Sequence, residues 1–143
     1  MKMKRIVLIV IFLFLLFCTA CAKYSKNSAN IDDVRIKNMT STVYSKEDMK
    51  KSLNAVLSAI KKIKGIYVYS ISYAGDKKSN DELIIRQKPP YNERILKCFY
   101  YNVSFKTSIW ADSAWGKLQK YDIDWIIAES SSGEFYTIDS GIG

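Results

Sequence analysis

SKEDMKKSLNAVLSAIKKIKGIYVYSISY, residues 45–73, carries two hydrophobic periods in succession, and the change from one to the other sets the fold. In its first part Met49, Leu53, Val56, Leu57, Ile60 and Ile63 recur at steps of three and four, so they share one face of a helix, and Lys50, Lys51, Asn54, Ser58, Lys61 and Lys62 take the other. Ser45 is placed to cap that helix, Glu47 and Asp48 suit the positive end of its dipole, and Gly65 supplies the stop after a lysine-rich turn. The pattern predicts one helix over Ser45 to Lys64. Burying six such side chains is worth about 9–18 kcal/mol at about 1.5–3 each, so the helix needs a large apolar partner. The second part begins at once: Ile66 to Tyr73 is β-branched and aromatic and alternates, with Tyr67, Tyr69, Ile71 and Tyr73 expected on one face.

Downstream, Ala74-Gly75-Asp76 breaks the strand, and Ser79 to Lys88 reads as a short helix capped by Ser79 and ended by Pro89-Pro90. Ile95 to Phe105 is the longest strand candidate, with Ile95, Phe99, Tyr101, Val103 and Phe105 on one face and Cys98 on the other. Lys106 to Gln119 is a connection that holds Trp110 and Trp115. Tyr121 to Glu129 alternates, Ser130 to Gly133 is a turn, and Glu134 to Ile138 returns as the last strand. The expected class is α+β, with one long N-terminal helix packed on a curved, mainly antiparallel four-stranded sheet.

Upstream, Ala22 to Tyr44 is rich in Ser, Asn, Lys and Asp without sustained period, and reads as a flexible tether. Met1 to Cys21 has Lys2, Lys4 and Arg5, then an apolar run from Ile6 to Phe17, then Cys18-Thr19-Ala20-Cys21, which is the build of an export signal. It resembles a bacterial lipoprotein signal, which implies lipidation at Cys21, although Cys18 stands where such signals usually have Leu. Cleavage after Ala22, releasing a soluble chain, and retention of Ile6 to Ala22 as a 17-residue anchor are the other readings. All three put the domain outside the cytoplasm. The expected organisation is a signal over 1–20, a tether over 21–44 and a globular domain over 45–143.

Composition narrows the chemistry. Of 22 basic residues three lie in the signal, so 19 face 14 acids in the mature chain, a net +5. Export argues against nucleic acid as the partner, which leaves anionic lipid head groups or anionic wall polymers. Cys98 is the one thiol left once Cys18 departs and Cys21 is acylated, so no disulfide is expected. The chain has no His, which excludes Ser-His-Asp and Cys-His catalysis and the ordinary zinc sites.

Tyr44-Ser45-Lys46-Glu47-Asp48, Tyr73-Ala74-Gly75-Asp76 and the closing pattern Trp125-Ile126-Ile127, Gly133-Glu134-Phe135 and Ile138 to Gly143 carry a resemblance. Over residues 44–143 the chain is similar to a group of small lipoproteins of Gram-positive bacteria, a group that brings no activity or catalytic residue with it. Phe135 stands where that pattern often has Trp, and the connection 106–119 is shorter than usual. The helix-then-sheet order is also similar to the cystatin-like superfold, shared with nuclear transport factors, which hosts many functions.

Several residue groups have side chains that could carry chemistry. Asp122 and Asp124 lie two apart on one strand face, opposite Ile123 and Trp125, and read as a solvated edge rather than a cation site. No spacing joins either of them to Glu129 or Glu134 as an acid/base couple. Cys98 reads as a small buried residue. Trp110 and Trp115 form the candidate binding surface, since two tryptophans within six residues are costly to leave in water; the competing reading makes Ile109, Trp110, Ala114 and Leu118 a short amphipathic turn that lids the open end of the sheet. The expected function is a membrane-anchored, non-enzymatic binding or accessory domain without cofactor or metal. Its partners would be membrane lipid through acylated Cys21 and an envelope protein or wall polymer. The rival readings are a small enzyme using a carboxylate base and an inhibitory module that docks on an envelope protein.

Overall fold

The computed structural model describes residues 27–112 and 114–141. The signal, and with it Cys21, lies outside the described residues. The elements run β1 (Arg35–Lys37), α1 (Lys46–Ile60), β2 (Ile66–Tyr73), α2 (Asp76–Gln87), β3 (Ile95–Thr107), β4 (Lys120–Ser130) and β5 (Phe135–Gly141).

The strands form one five-stranded mixed sheet in the order β1-β2-β3-β4-β5. The four-stranded, mainly antiparallel sheet expected from the pattern, and the cystatin-like arrangement with it, are therefore corrected. The added strand β1 comes from the stretch expected as tether and pairs parallel with β2, Ile36 opposite Ile71, with α1 as the crossover that a parallel pair requires. Its residues Arg35, Ile36 and Lys37 are all exposed, so the strand leaves no hydrophobic signature and is held through its backbone. Before it, Ala29 is buried, and Ile31, Val34, Met39 and Tyr44 pack on the core. Asn30 anchors the approach, its amide donating to the Ile66 carbonyl at 2.9 Å and its carbonyl accepting from Val68 at 2.9 Å.

Helix α1 begins where its cap dictates. Ser45 Oγ accepts from the Asp48 amide at 3.1 Å, and an Asp48 carboxylate oxygen accepts from the Ser45 amide at 3.3 Å, a reciprocal capping box. It ends at Ile60 rather than Lys64, because Lys62 and Ile63 turn back to the carbonyls of Ala59 and Ile60, three residues behind, and tighten the chain out of the helix. Met49, Val56 and Ile60 are buried, whereas Leu53, Leu57 and Ile63 are half-buried at the rim. Gly65 closes the turn at φ +68°, and a Cβ there would meet the Ala111 amide nitrogen at 2.5 Å, so both conformation and space demand glycine.

The even alternation expected in β2 breaks at a bulge between Val68 and Ser70. The extra residue, Tyr69, reverses parity, so Ile66 and Val68 before it and Ile71 and Tyr73 after it all join the α1-side core. Phe99, Tyr101, Val103 and Phe105 of β3 and Ile123, Trp125 and Ile127 of β4 complete that core.

The opposite face is covered too. Cys98, Tyr100 and Ile126 pack there with Leu83 of α2 and Ile138, so the sheet lies between two helices instead of under one. Helix α2 starts at Asp76 behind Gly75, three residues before the expected cap at Ser79. Ser79 is a buried residue inside the helix, and its Oγ accepts from the Tyr100 amide at 3.0 Å where β2 has run out beside β3.

Candidate functional site

Helix α1 does not close fully on the sheet edge. Ala55, Ser58 and Ala59 recur at steps of three and four on the flank facing β5, and small side chains there leave a groove of about 750 Å³. Its sheet wall is Trp125, Phe135 and Thr137, with Trp125 fixed by an indole N–H donated to Thr137 Oγ1 at 3.2 Å. Phe135 is set against Phe99, ring centroids 5.7 Å apart. Lys51 and Lys62 also border the groove. The result is an apolar, aromatic floor between two cations. Lys51 is bonded to Glu47 at 2.8 Å, an exposed pair whose hydrogen bond raises the lysine pKa and lowers that of the acid.

Beyond the first turn of α1, Lys97 Nζ lies 2.9 Å from Asp48 and 2.7 Å from Glu129. The close Glu129 carboxylate leads in raising the Lys97 pKa. Burial resists ionisation of Asp48, but bonds from Lys97 and Ser45 outweigh it and hold its carboxyl low. Glu129 Oε2 is buried without a well-angled hydrogen bond, so its contact with Lys97 is an ion pair by distance. This cluster ties the helix start to β3 and β4. Both carboxylates are committed to Lys97, and neither borders the groove.

On the α2 side, Asp124 accepts from Tyr100 and from Asn102, each at 2.5 Å, and Asp122 accepts from Ser104. Lys78 lies 3.9 Å from the Tyr100 ring centroid and 3.8 Å from Asp124. Glu129 is on the opposite face and Glu134 is exposed at the hairpin, so the structure does not bring these acids together as a couple. Among the described residues no group of three Asp, Glu or Cys converges to hold a metal ion.

Asp76 pins the 38–44 stretch: its carboxylate accepts from the Thr42 amide at 2.8 Å, the Thr42 hydroxyl at 2.9 Å and the Tyr73 hydroxyl at 2.9 Å. Burial would raise its pKa, but bonds from Ser41, Thr42 and Tyr73 pull it down to about 2.

The two tryptophans of the connection divide. Trp115 packs edge-on against Phe105 at 5.1 Å and Tyr121 at 5.2 Å and belongs to the core margin. Trp110 is half-buried beside Gly65, while Ile109, Ala114 and Leu118 are exposed and Ala111 is buried in their place. Neither Trp110 nor Trp115 borders the groove. Cys98 is fully buried, and burial pushes its thiol up to about 12. The sequence pattern does not mark Trp125 and Phe135 as groove residues; Ser58 is exposed, as its place on the polar helix face implies, and it also borders the groove. The available signal was the run of small residues on one helix flank, opposite a tryptophan on a strand.

No protein-family model, no curated protein and no solved structure matches the chain. Among the described residues, no helix is long and apolar enough to cross a membrane.

Proposed function

We propose that the protein is an extracytoplasmic lipoprotein, held at the membrane by acylated Cys21, whose domain binds a partner without turning it over. The groove between α1 and β5 is its binding site, and the carrying observation is the character of that groove. Phe135 and Tyr136 offer aromatic surface over the buried indole of Trp125, Asn54, Ser58 and Thr137 offer hydrogen bonds, Lys51 and Lys62 offer positive ends, and among the described residues no carboxylate or thiol lines it to act as base or nucleophile. A stretch of an envelope protein with an apolar centre and acidic flanks fits that pattern. The build of Met1 to Cys21, a basic start, an apolar run and small residues up to a cysteine, supports the address.

The test is a photocrosslinking amino acid placed at Ser58 in the membrane-anchored protein, with Ile84, exposed on α2 at the other face, as the control position. A discrete adduct at Ser58 that disappears when Phe135 is changed to Ala is the expected result. No adduct, or the same adducts from both positions, would refute the groove. Anchoring is read from the intact mass, where unmodified Cys21 refutes lipidation.

A further inference from the structure

The end of the domain opposite the β4–β5 hairpin collects features that, apart from Lys62 at the groove's edge, the groove does not use. The C-terminal turn of α1, the start of β2, the end of β3 and the connection 108–119 meet there, joined by the Ser108 amide to the Gly65 carbonyl at 2.8 Å and the Thr107 amide to the Gln119 carbonyl at 2.9 Å. Residues 61–66 and 106–120 together carry six lysines and one acid, Asp112. Lys61, Lys62, Lys64, Lys117 and Lys120 are exposed, and none of them is in a salt bridge among the described residues.

Two large apolar side chains stand among these lysines. Ile109 is 51% exposed and Leu118 is 73% exposed. Leu118 is also held at φ 57°, a conformation that a branched side chain rarely adopts, so the connection displays it against its own backbone preference.

The chain arrives from its N-terminus at this same end, where the Ala29 amide donates to the Lys61 carbonyl at 3.3 Å and the Asn30 amide to Ile66 at 2.9 Å. From Cys21 to Asn27 there are six peptide steps, which reach at most about 22 Å at about 3.6 Å each.

We infer that this basic, apolar-tipped end docks flat on the anionic surface of the bilayer that holds the anchor, with Leu118 and Ile109 entering the interface and the lysines on the head groups. The inference rests on the anchoring reading above. A short tether gives the patch a high effective concentration at the surface, so contacts too weak to recruit a free protein suffice to orient a tethered one. The docked pose leaves the hairpin end of the domain, with the Glu134 turn, pointing away from the membrane.

The test uses the full acylated chain reconstituted in vesicles whose lipids carry brominated acyl chains, which quench nearby tryptophan. Trp110 neighbours Ile109, and its share of the signal is the difference between wild type and Trp110→Phe. In vesicles containing phosphatidylglycerol the Trp110 emission is expected to be quenched. The quenching should fall at least about twofold in pure phosphatidylcholine and in roughly 1 M salt, neither of which perturbs the protein by mutation. The charge reversal Lys61→Glu, Lys62→Glu, Lys64→Glu and the single change Leu118→Asp should each reduce it as well.

Absent quenching, or quenching indifferent to lipid charge and salt, overturns the docking. So does binding of a soluble polyanion by a chain that shows no quenching on anionic vesicles, which would assign the lysines to a wall polymer. The mass of Cys21 is read on the same sample. An acylated chain without quenching refutes docking and leaves the anchor standing, while charge-dependent quenching with an unmodified Cys21 refutes the anchor alone.

Discussion

The hydroxyls of Ser52 on α1 and Tyr101 on β3 lie 2.6 Å apart inside the core, at residues with no exposed surface. Ser52 donates to the Met49 carbonyl at 3.0 Å, which leaves Tyr101 as the donor to Ser52. The two single substitutions therefore differ. Tyr101→Phe removes a hydrogen bond and leaves Ser52 partnered, at a cost of about 0.5–1.5 kcal/mol, whereas Ser52→Ala strands a buried phenol, at about 1–3 kcal/mol. In urea unfolding, the double variant should be no less stable than Ser52→Ala alone. Strict additivity would show that the two groups do not interact.

The face of α1 grades from buried to half-buried, and truncation should follow that order. Ile60→Ala is expected to cost about 2–5 kcal/mol, and Leu57→Ala, at the rim, less than about 2. In the sequence Leu57 and Ile60 stand alike on one face, because a helical wheel shows which residues share a face and not where the sheet ends beneath them. Equal losses at the two positions would refute the packing described.

That limit marks how far the sequence was legible. Helix α1 was readable from its cap and its six periodic side chains, and β3 and β4 from alternation over Ile95 to Phe105 and Tyr121 to Glu129, which the observed strands slightly exceed. Strand β1 was not, because three exposed residues carry no period and its pairing is made by backbone groups common to every residue type. The bulge at Tyr69 had no local cue such as glycine, and it inverted half of the β2 face. The groove was hidden for another reason: small residues on a helix flank read as solvated until the wall opposite them, Trp125 and Phe135, is in place. Long-range ion pairs such as Lys97 with Asp48, 49 positions apart, leave no spacing signal at all.

Arg86 is the polar hub of the α2 face. Its guanidinium, 10% exposed, meets Glu82 at 2.7 Å, Asp139 at 2.9 Å and Glu93 at 3.5 Å. Arg86→Met should cost about 3–5 kcal/mol, because Glu82 and Glu93 would be left partly buried beside each other without a cation. Asp139 is half-exposed, so Asp139→Asn should cost no more than about 1 kcal/mol. Thermal melting of the two variants separates a hub from three independent surface pairs, for which the losses would be similar and small.

The buried acids set the behaviour in alkali. Burial pushes Cys98 from its ordinary 9.0 up to about 12 and Tyr101 from 10.0 up to about 12, and it raises Tyr73 and Tyr100 as well, with Asp76 and Asp124 adding to those two. For each group the folded protein holds its proton to higher pH than the unfolded chain does. Stability is thus fully present below the unfolded pKa and is lost as pH climbs through the folded one, at about 1.4 kcal/mol per pH unit per group. The urea midpoint should begin a shallow decline near about pH 9, when Cys98 acts alone, and fall several times more steeply above about pH 10, when the tyrosines join. Cys98→Ala lowers the baseline through its cavity but should erase the shallow limb between those two values. A midpoint that stays level to about pH 11 in the wild type would mean that these groups are not sheltered from water as the structure has them.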